Sequence, residues 1–279
     1  MNDINNSELY VPEKKWDASL YAETHQLQGQ ISERFFFSRF QWKGDEIILD
    51  IGSGDGKCTA RIAKSVSNGA VQGWDNSSSM IAYSQSNYST DIYPNLVFKN
   101  VDASQFNSYS NTSSYFDLVV SFHALHWMDD QLEVLKGIAY ALKPGGKAYL
   151  LVTSKGFDPI LVIVNQLIVT KRWESYFKGF CDPLHRFSVS QYTHLLELAG
   201  LVPCSVVEVL ENDLISSRKE LRDQIRSWLP HLKVLPNVAL QEQFLDEMVE
   251  EFMKTIFPGQ SEPSYLTDCN LEIIAEKPV

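Results

Sequence analysis

The sequence predicts an α/β fold: a mostly parallel, seven-stranded sheet with helices on both faces. Short apolar runs alternate with amphipathic helical stretches between residues 46 and 153, as in βαβ units with right-handed crossovers. The first run ends in a loop with three glycines, Gly52-Ser53-Gly54-Asp55-Gly56. After residue 153 the pattern becomes helical and rich in aromatic residues, and it closes on a last strand that we expect to be antiparallel. Together these features predict a Rossmann-like arrangement.

Periodicity divides the chain into an N-terminal helical cap (1–44), a sheet-forming core (45–153), and a lid and C-terminal part (154–279) that completes the same sheet. In the first part, one helix is predicted from Ser19 to Phe40. Strands are predicted at 46–51, 70–74, 96–100, 117–121, 147–153, 204–210 and 271–275. Further helices are predicted at 59–66, from 77, and at 131–142, 189–199, 218–228 and 240–257. The sequence Lys-Pro-Gly-Gly at 143–146 is predicted to stop the fourth of these helices.

Composition narrows the function classes. The 279 residues include 24 Lys+Arg and 35 Asp+Glu, a formal net charge of −11, which disfavours nucleic acid as a partner. Four widely spaced cysteines form no zinc-ligand pattern, and no metal site is expected. No apolar stretch approaches the ~20 residues that span a bilayer, and the first residues lack a signal-peptide pattern. We expect a cytoplasmic protein without membrane insertion, a monomer or a weak dimer.

The glycine loop is the candidate cofactor site. Glycines let the chain turn off the first strand and approach a ligand closely, and the next helix points its N–H groups at that ligand. The spacing is Gly52-x-Gly54-x-Gly56 rather than the GxGxxG of dinucleotide sites. Asp50 precedes the loop; it would disfavour a pyrophosphate, and it would orient the loop or attract an ammonium group. Ser53 completes the predicted contact set of this loop.

Polar residues also follow the next two predicted strands. Asp75, with Asn76 beside it, ends the second strand at the position where a carboxylate accepts hydrogen bonds from ribose hydroxyls. Asp102 and Ala103 follow the third strand, where the carboxylate could accept from an adenine amino group. Met80, one turn into the following helix, could pack on the adenine face. Each has a plainer alternative: a solvated acid for Asp75, a helix cap for Asp102 and ordinary core for Met80.

Five segments in order resemble the class I S-adenosylmethionine-dependent methyltransferases: LDIGSGDG, GWDNSSSMI, NVDASQF, YFDLVVSFHALHW and LKPGGKAYL. The resemblance covers about residues 45–153. It implies S-adenosylmethionine as the cofactor and S-adenosylhomocysteine as its product. It also implies that Asp75 holds the ribose, that Asp102 and Ala103 lie near adenine, and that Ser121 and Phe122 lie beneath the methionine part.

The acceptor would lie beyond the carboxyl end of the fourth strand, where His123 and Trp127 leave it. The Leu-x-Trp pattern there, together with the N-terminal Trp-Asp-Ala-Ser-Leu-Tyr, resembles the carboxyl methyltransferases of the trans-aconitate and juvenile hormone acid group. The resemblance implies a small-molecule carboxylic acid as acceptor. Tyr21, Gln28 and Trp127 are the candidate substrate contacts, with Arg186 as a further donor. His123 is the candidate catalytic residue, as a base or as a positioning donor.

The sequence does not identify the acceptor. Large aromatic side chains between residues 154 and 188 could form an apolar lid or simply pack into the core: Trp173, Tyr176, Phe177 and Phe180. The alternatives to carboxyl methylation are N-methylation, phenol O-methylation and methylation of a carrier-bound acid. A protein that binds the cofactor without catalysis is a further alternative, and a dehydrogenase is disfavoured by the loop spacing.

Overall fold

A computed structural model describes residues 16, 18–24, 33–108 and 113–279. These residues form a seven-stranded sheet in the order β3-β2-β1-β4-β5-β7-β6. Strands β1 to β5 pair in parallel, and β7 pairs antiparallel with β5. The strands are β1 Ile47–Ile51, β2 Ala70–Asp75, β3 Leu96–Asn100, β4 Phe116–Phe122, β5 Leu142–Thr153, β6 Val202–Leu214 and β7 Tyr265–Glu276. The predicted fold class is confirmed, including the antiparallel last strand.

Helices follow the strands in the alternation that the sequence predicts. They are α1 Ala18–Thr24, α2 Lys57–Ser65, α3 Ser78–Asn87, α4 Gln131–Ala141, α5 Pro159–Leu167, α6 Val189–Leu198, α7 Arg218–Trp228 and α8 Val238–Ile256. Side-chain caps fix several helix starts: each cap accepts from the backbone N–H of the third helical residue, and the caps are Ser77, Asp130, Ser188 and Asn237. None of the described helices is long and apolar enough to cross a membrane.

Two predicted boundaries are wrong. The Pro-Gly-Gly sequence ends helix α4 as expected, yet β5 already begins at Leu142. Pairing with the distant C-terminal segment draws these residues into the sheet: Gly145 N–H donates to the Lys277 carbonyl, and Lys277 N–H donates to the Gly146 carbonyl. The predicted N-terminal helix also ends earlier than expected: α1 spans Ala18–Thr24, a π-helical turn spans Glu33–Phe37, and the helical structure stops there rather than at Phe40. Residues 25–32 between them lie outside the described part.

Alternating side chains of the sheet bury both of its faces. On β1, Ile48 packs into one apolar cluster while its neighbour Leu49 packs into the other, and both are fully buried. The same alternation separates Leu118 from Val119 on β4. A sheet buried on both faces leaves its strand ends as the exposed sites for polar residues, so the candidate site follows from the layering.

The chain forms two compact units. The core unit comprises the described residues of Trp16–Gly156 together with His185–Val209 and Cys269–Val279. The second unit contains Phe157–Leu184 and Leu210–Asp268, and we refer to it as the helical unit. The predicted three-part division of the chain stays a prediction.

The helical unit has its own apolar core, which decides how its aromatic residues are used. Trp173 is completely buried; its ring packs edge-on against Phe244, and its indole N–H donates to Glu247 Oε2 at 2.6 Å. Phe177 is also buried in this core. Tyr176 lies at the edge of the same group, 36% exposed. Of the two alternatives for these aromatic residues, a lid or core packing, Trp173 and Phe177 therefore follow core packing.

We expect Trp173→Ala to lower the free energy of unfolding by about 3–5 kcal/mol, because it empties a large buried volume. Tyr176→Ala, in the same segment, should cost no more than about 1.5 kcal/mol, since it loses mainly one aromatic contact. Urea titration of both variants measures the difference. Equal stabilities for the two variants would contradict the assignment of Trp173 to the core.

Candidate active site

The loop after β1 is built on left-handed backbone conformations. Gly52, Gly54 and Gly56 have φ values of 74°, 53° and 83°, which side-chain-bearing residues rarely adopt. Its first two N–H groups, those of Gly52 and Ser53, donate to the Trp74 carbonyl at 2.7 and 2.9 Å. The loop is thereby tied to the end of β2, so the ends of the first two strands form one surface.

Gly52 also lies against the segment that leaves β4. A Cβ built on Gly52 would overlap the Cβ of Ala124, far inside van der Waals contact. Ala124 follows His123 directly, so the predicted cofactor loop and the predicted acceptor segment touch. Any side chain at position 52 would force these two parts of the site apart.

Asp75 closes the loop from the β2 side. Its Oδ2 accepts from Gly54 N–H at 3.0 Å and its Oδ1 from Ser77 N–H at 2.8 Å. Burial raises the pKa of this carboxyl, and the two N–H donors partly offset the shift. Each carboxylate oxygen can accept more than one hydrogen bond, so Asp75 keeps acceptor capacity for a hydroxyl group. Asn76 beside it is exposed.

Asp50 supports the loop from below. It is buried on β1, and its Oδ2 accepts from the Thr59 hydroxyl at 2.6 Å. Burial raises the pKa of the Asp50 carboxyl to about 7, with smaller contributions from Asp75 and Asp55 in the same direction. Two roles were considered for Asp50: orienting the loop and attracting an ammonium group. The hydrogen bond to Thr59, in the first turn of α2, fits the first role.

Three further predicted contacts have distinct surroundings. The Ser53 hydroxyl is buried and has no hydrogen-bond partner among the described residues. Met80 is buried on α3, beneath the cap that Ser77 forms. Asp102 caps the short helical turn Ala103–Ser108: its Oδ1 accepts from the N–H and the hydroxyl of Ser104. Asp102 is therefore a helix cap, the plainer alternative for this residue. Its carboxylate can still accept a further hydrogen bond from a ligand.

The side chains of Ser121 and Phe122 are engaged within the protein. The Ser121 hydroxyl donates to the Ile51 carbonyl at 2.7 Å and is fully buried. The Phe122 ring packs against Phe36, with centroids 5.5 Å apart. What these two residues can offer a ligand beneath the loop is thus mainly their backbone.

His123 occupies a strained position at the carboxyl end of β4. Its φ is 56°, and among the described non-glycine residues only Ser114 is also left-handed. The His123 N–H donates to the Leu151 carbonyl at 2.9 Å, which holds the turn in place. Strain of this kind, of order 1–3 kcal/mol, tends to occur at functional sites.

A group of basic side chains surrounds this turn. His126 is buried, its Nδ1 accepts from Thr153 N–H at 3.3 Å, and its carbonyl accepts from His185 N–H. Burial holds the pKa of the His126 imidazole well below its usual range, and His123, Arg186 and His185 shift it in the same direction. These four residues, the basic group, therefore lie close enough to act on one another electrostatically.

Aromatic rings border the same region. The Trp16 ring contacts Trp127 at 5.2 Å and Tyr21 at 5.7 Å between centroids, both edge-on. Tyr21 lies over the glycine loop, with its Cε1 3.8 Å from a Cβ built on Gly54. The structure thus brings together Tyr21 and Trp127, two of the predicted substrate contacts. Gln28 lies outside the described residues.

Comparison with known proteins identifies the family. Residues 48–146 match the family model described as a methyltransferase domain. The chain is 32% identical to the demethylmenaquinone methyltransferase of Lactobacillus johnsonii over 64% of its own length and 71% of that protein. It is 29% identical to the juvenile hormone acid O-methyltransferase of Drosophila melanogaster, over 84% and 81%. The chain belongs to the class I S-adenosylmethionine-dependent methyltransferases.

A solved structure agrees with this fold. The Haemonchus contortus phosphoethanolamine N-methyltransferase 2 in complex with S-adenosylmethionine superimposes with a TM-score of 0.58 at 19% identity, covering 94% of this chain and 56% of that one. S-adenosylmethionine is the cofactor of this methyltransferase. The buried Ser53 hydroxyl and the space that the missing side chain of Gly54 leaves below Tyr21 fit a ligand seated on the β1 and β2 ends.

Three residues that shape this site were not predicted. Thr59 supports Asp50, Ala124 packs on Gly52, and Trp16 joins the two aromatic contacts. Trp16 belongs to the N-terminal motif that resembles the carboxyl methyltransferases, and this motif was the sequence feature that could have identified it. Thr59 and Ala124 carry no signal, since their roles depend on contacts across the sheet edge.

We expect Gly52→Ala to abolish measurable S-adenosylmethionine binding, because the added methyl group overlaps Ala124 and the backbone is left-handed. Gly200→Ala is the matched control: its φ is 80°, but its Cβ would meet open space. Isothermal titration of both variants, with a melting curve for each, tests this. Unchanged affinity in Gly52→Ala would show that the loop tolerates the separation.

The raised pKa of Asp50 predicts a pH-dependent stability. Between about pH 4 and 7 the folded state holds a proton at Asp50 that the unfolded state releases, so the stability falls as pH rises through this window. We expect a contribution of at most about 1.4 kcal/mol per pH unit, absent from Asp50→Asn. Urea unfolding of both proteins from pH 4 to 8 measures it. Parallel curves would contradict the prediction.

Proposed function

We propose that this methyltransferase transfers the methyl group of S-adenosylmethionine to the carboxylate of a small organic acid. The observation that carries the proposal is the basic group of His123, His126, His185 and Arg186, beside the segment that touches the glycine loop. Because His126 is held neutral and His185 Nε2 lies 3.3 Å from Asp129 Oδ1, the charge of this group comes from Arg186. Its guanidinium would attract a negatively charged acceptor and repel an ammonium acceptor.

The net charge of −11 makes this local charge necessary. An anionic acceptor is repelled by the protein as a whole at long range, so its pocket must supply the donors. His185 and Arg186 are adjacent in sequence. The hydrogen bond from the His185 N–H to the His126 carbonyl brings their segment close to the residues that follow β4. Arg186 would form charge-assisted hydrogen bonds with a carboxylate.

The chemistry needs alignment more than proton transfer. A carboxylic acid with an ordinary pKa near 4 is already ionised at neutral pH, so no general base is required. S-adenosylmethionine supplies a methyl group activated on a sulfonium. His123 would orient the attacking carboxylate oxygen, and the rings of Tyr21 and Trp127 would exclude water and border positive charge. Gln28 stays a predicted donor to the acceptor.

For the cofactor we propose a division among the predicted contacts. The backbone of Gly52 and Gly54 and the Ser53 hydroxyl would hold the methionine part, with Ser121 and Phe122 beneath it. Asp75, flanked by Asn76, would accept from the ribose hydroxyls. The adenine would lie between Met80 and the Asp102-Ala103 turn. In this arrangement Asp50 keeps the loop in position.

The two relatives are named for different classes of acceptor, and one of these classes is a carboxylic acid. One is named for methylation of juvenile hormone acid, and it matches over 84% of this chain. The other is named for demethylmenaquinone, which makes a ring acceptor the second candidate. The basic group favours the acid.

The proposal predicts methyl ester formation from carboxylic acids. The protein would be incubated with labelled S-adenosylmethionine and one of four acids: octanoate, dodecanoate, trans-aconitate or juvenile hormone acid. The controls are octanol, octylamine and a demethylmenaquinone analogue. His123→Gln should lower kcat/KM by roughly 10-fold to 100-fold equally across pH 6–9, because an orienting hydrogen bond, not a base, is lost.

His194→Gln, on the exposed face of α6, is the matched control and should leave the rate unchanged. Methylation of the control amine or quinone instead of any acid would overturn the carboxylate proposal. Cofactor binding without any turnover would favour a non-catalytic binding protein. A loss in His123→Gln confined to one limb of the pH profile would identify a base.

A further inference from the structure

Asn270 on β7 lies at the acceptor edge of the sheet. It is directly opposite Thr153 in the antiparallel pairing of β7 with β5, so the two side chains share one face. Thr153 is the last residue of β5; its N–H donates to His126 Nδ1, and its hydroxyl lies 3.5 Å from the same atom. The Asn270 carboxamide therefore lies one strand away from the basic group.

The amide of Asn270 is buried but unsatisfied. The residue is 3% exposed, and its Nδ2 has no hydrogen-bond partner among the described residues. Burial of an amide donor without a partner is unfavourable, and such groups in folded proteins usually bind water or a ligand.

The polar neighbours on this face are already engaged. Glu272, two residues further along β7, accepts from Arg34 Nη2 at 2.7 Å and from Arg39 Nη1 at 3.0 Å, so each of its oxygens holds an arginine. The Thr153 hydroxyl lies against His126. Neither group accepts from Asn270 Nδ2 in the structure, so this N–H is left for an acceptor from outside the set.

We propose that Asn270 is a further acceptor-binding residue, whose carboxamide donates a hydrogen bond to a carboxylate oxygen of the acid. The inference rests on the proposed function and deepens it. A neutral amide donor adds to the charged donors of the basic group and favours an acceptor oxygen over an N–H group at this position.

Binding of acid and ester tests this role. Isothermal titration in the presence of S-adenosylhomocysteine would use the best substrate among octanoate, dodecanoate, trans-aconitate and juvenile hormone acid, and its methyl ester. Asn270→Leu, an apolar replacement of similar size, should raise the Kd of the acid about 10-fold to 100-fold. Asn270→Asp places a like charge against the carboxylate, so it should weaken acid binding further and change ester binding about threefold or less.

The controls separate the outcomes. Asn237→Asp makes the same charge change at the exposed cap of α8, where aspartate caps equally well, and should change neither affinity. Unchanged acid binding in both Asn270 variants, beside a wild type that binds acid, would overturn this inference alone. Equal losses for acid, ester and S-adenosylhomocysteine would overturn it in favour of a structural role. A wild type that binds none of the acids would overturn it together with the proposed function.

Discussion

The contact between Gly52 and Ala124 is the constraint on which the site depends. It leaves no room for a Cβ between the loop after β1 and the segment after β4. Because those two strands are neighbours in the sheet, their exits must share one narrow space. The left-handed turns at Gly52 and His123 are two ways in which the backbone accommodates this. In the proposed arrangement of the ligands, the same contact would set how far the methyl donor lies from its acceptor.

Electrostatics then divides the site into two parts. On the cofactor side, Asp50 and Asp75 are carboxylates whose pKa burial raises, and they are held by Thr59 and by backbone N–H groups. On the acceptor side, burial holds His126 neutral while basic side chains surround it. An acidic region suits a cationic cofactor and a basic region suits an anionic acceptor, so under the proposed function the two ligands would be attracted to opposite parts of one edge.

Sequence reasoning succeeded where the signal is local. The apolar runs and the glycines that end them determine the strand exits, and this placed Asp75, His123 and Trp127 at one edge. It failed where a distant contact decides. Pairing with Lys277 starts β5 early, and the face of a strand, which directs the Ser121 hydroxyl to Ile51, depends on register. For the same reason a buried aromatic residue such as Trp173 and a lid residue look alike in sequence.

This difference explains why the family is easier to predict than the acceptor. The matched methyltransferase domain, residues 48–146, contains every candidate cofactor residue together with His123 and Trp127. Tyr21, Arg186 and Asn270 lie outside it. They reach the acceptor edge through α1, through the His185 bond to His126, and through the pairing of β7 with β5. Changes in these segments would alter the acceptor without disturbing the loop, so relatives that share the cofactor site can differ in what they methylate.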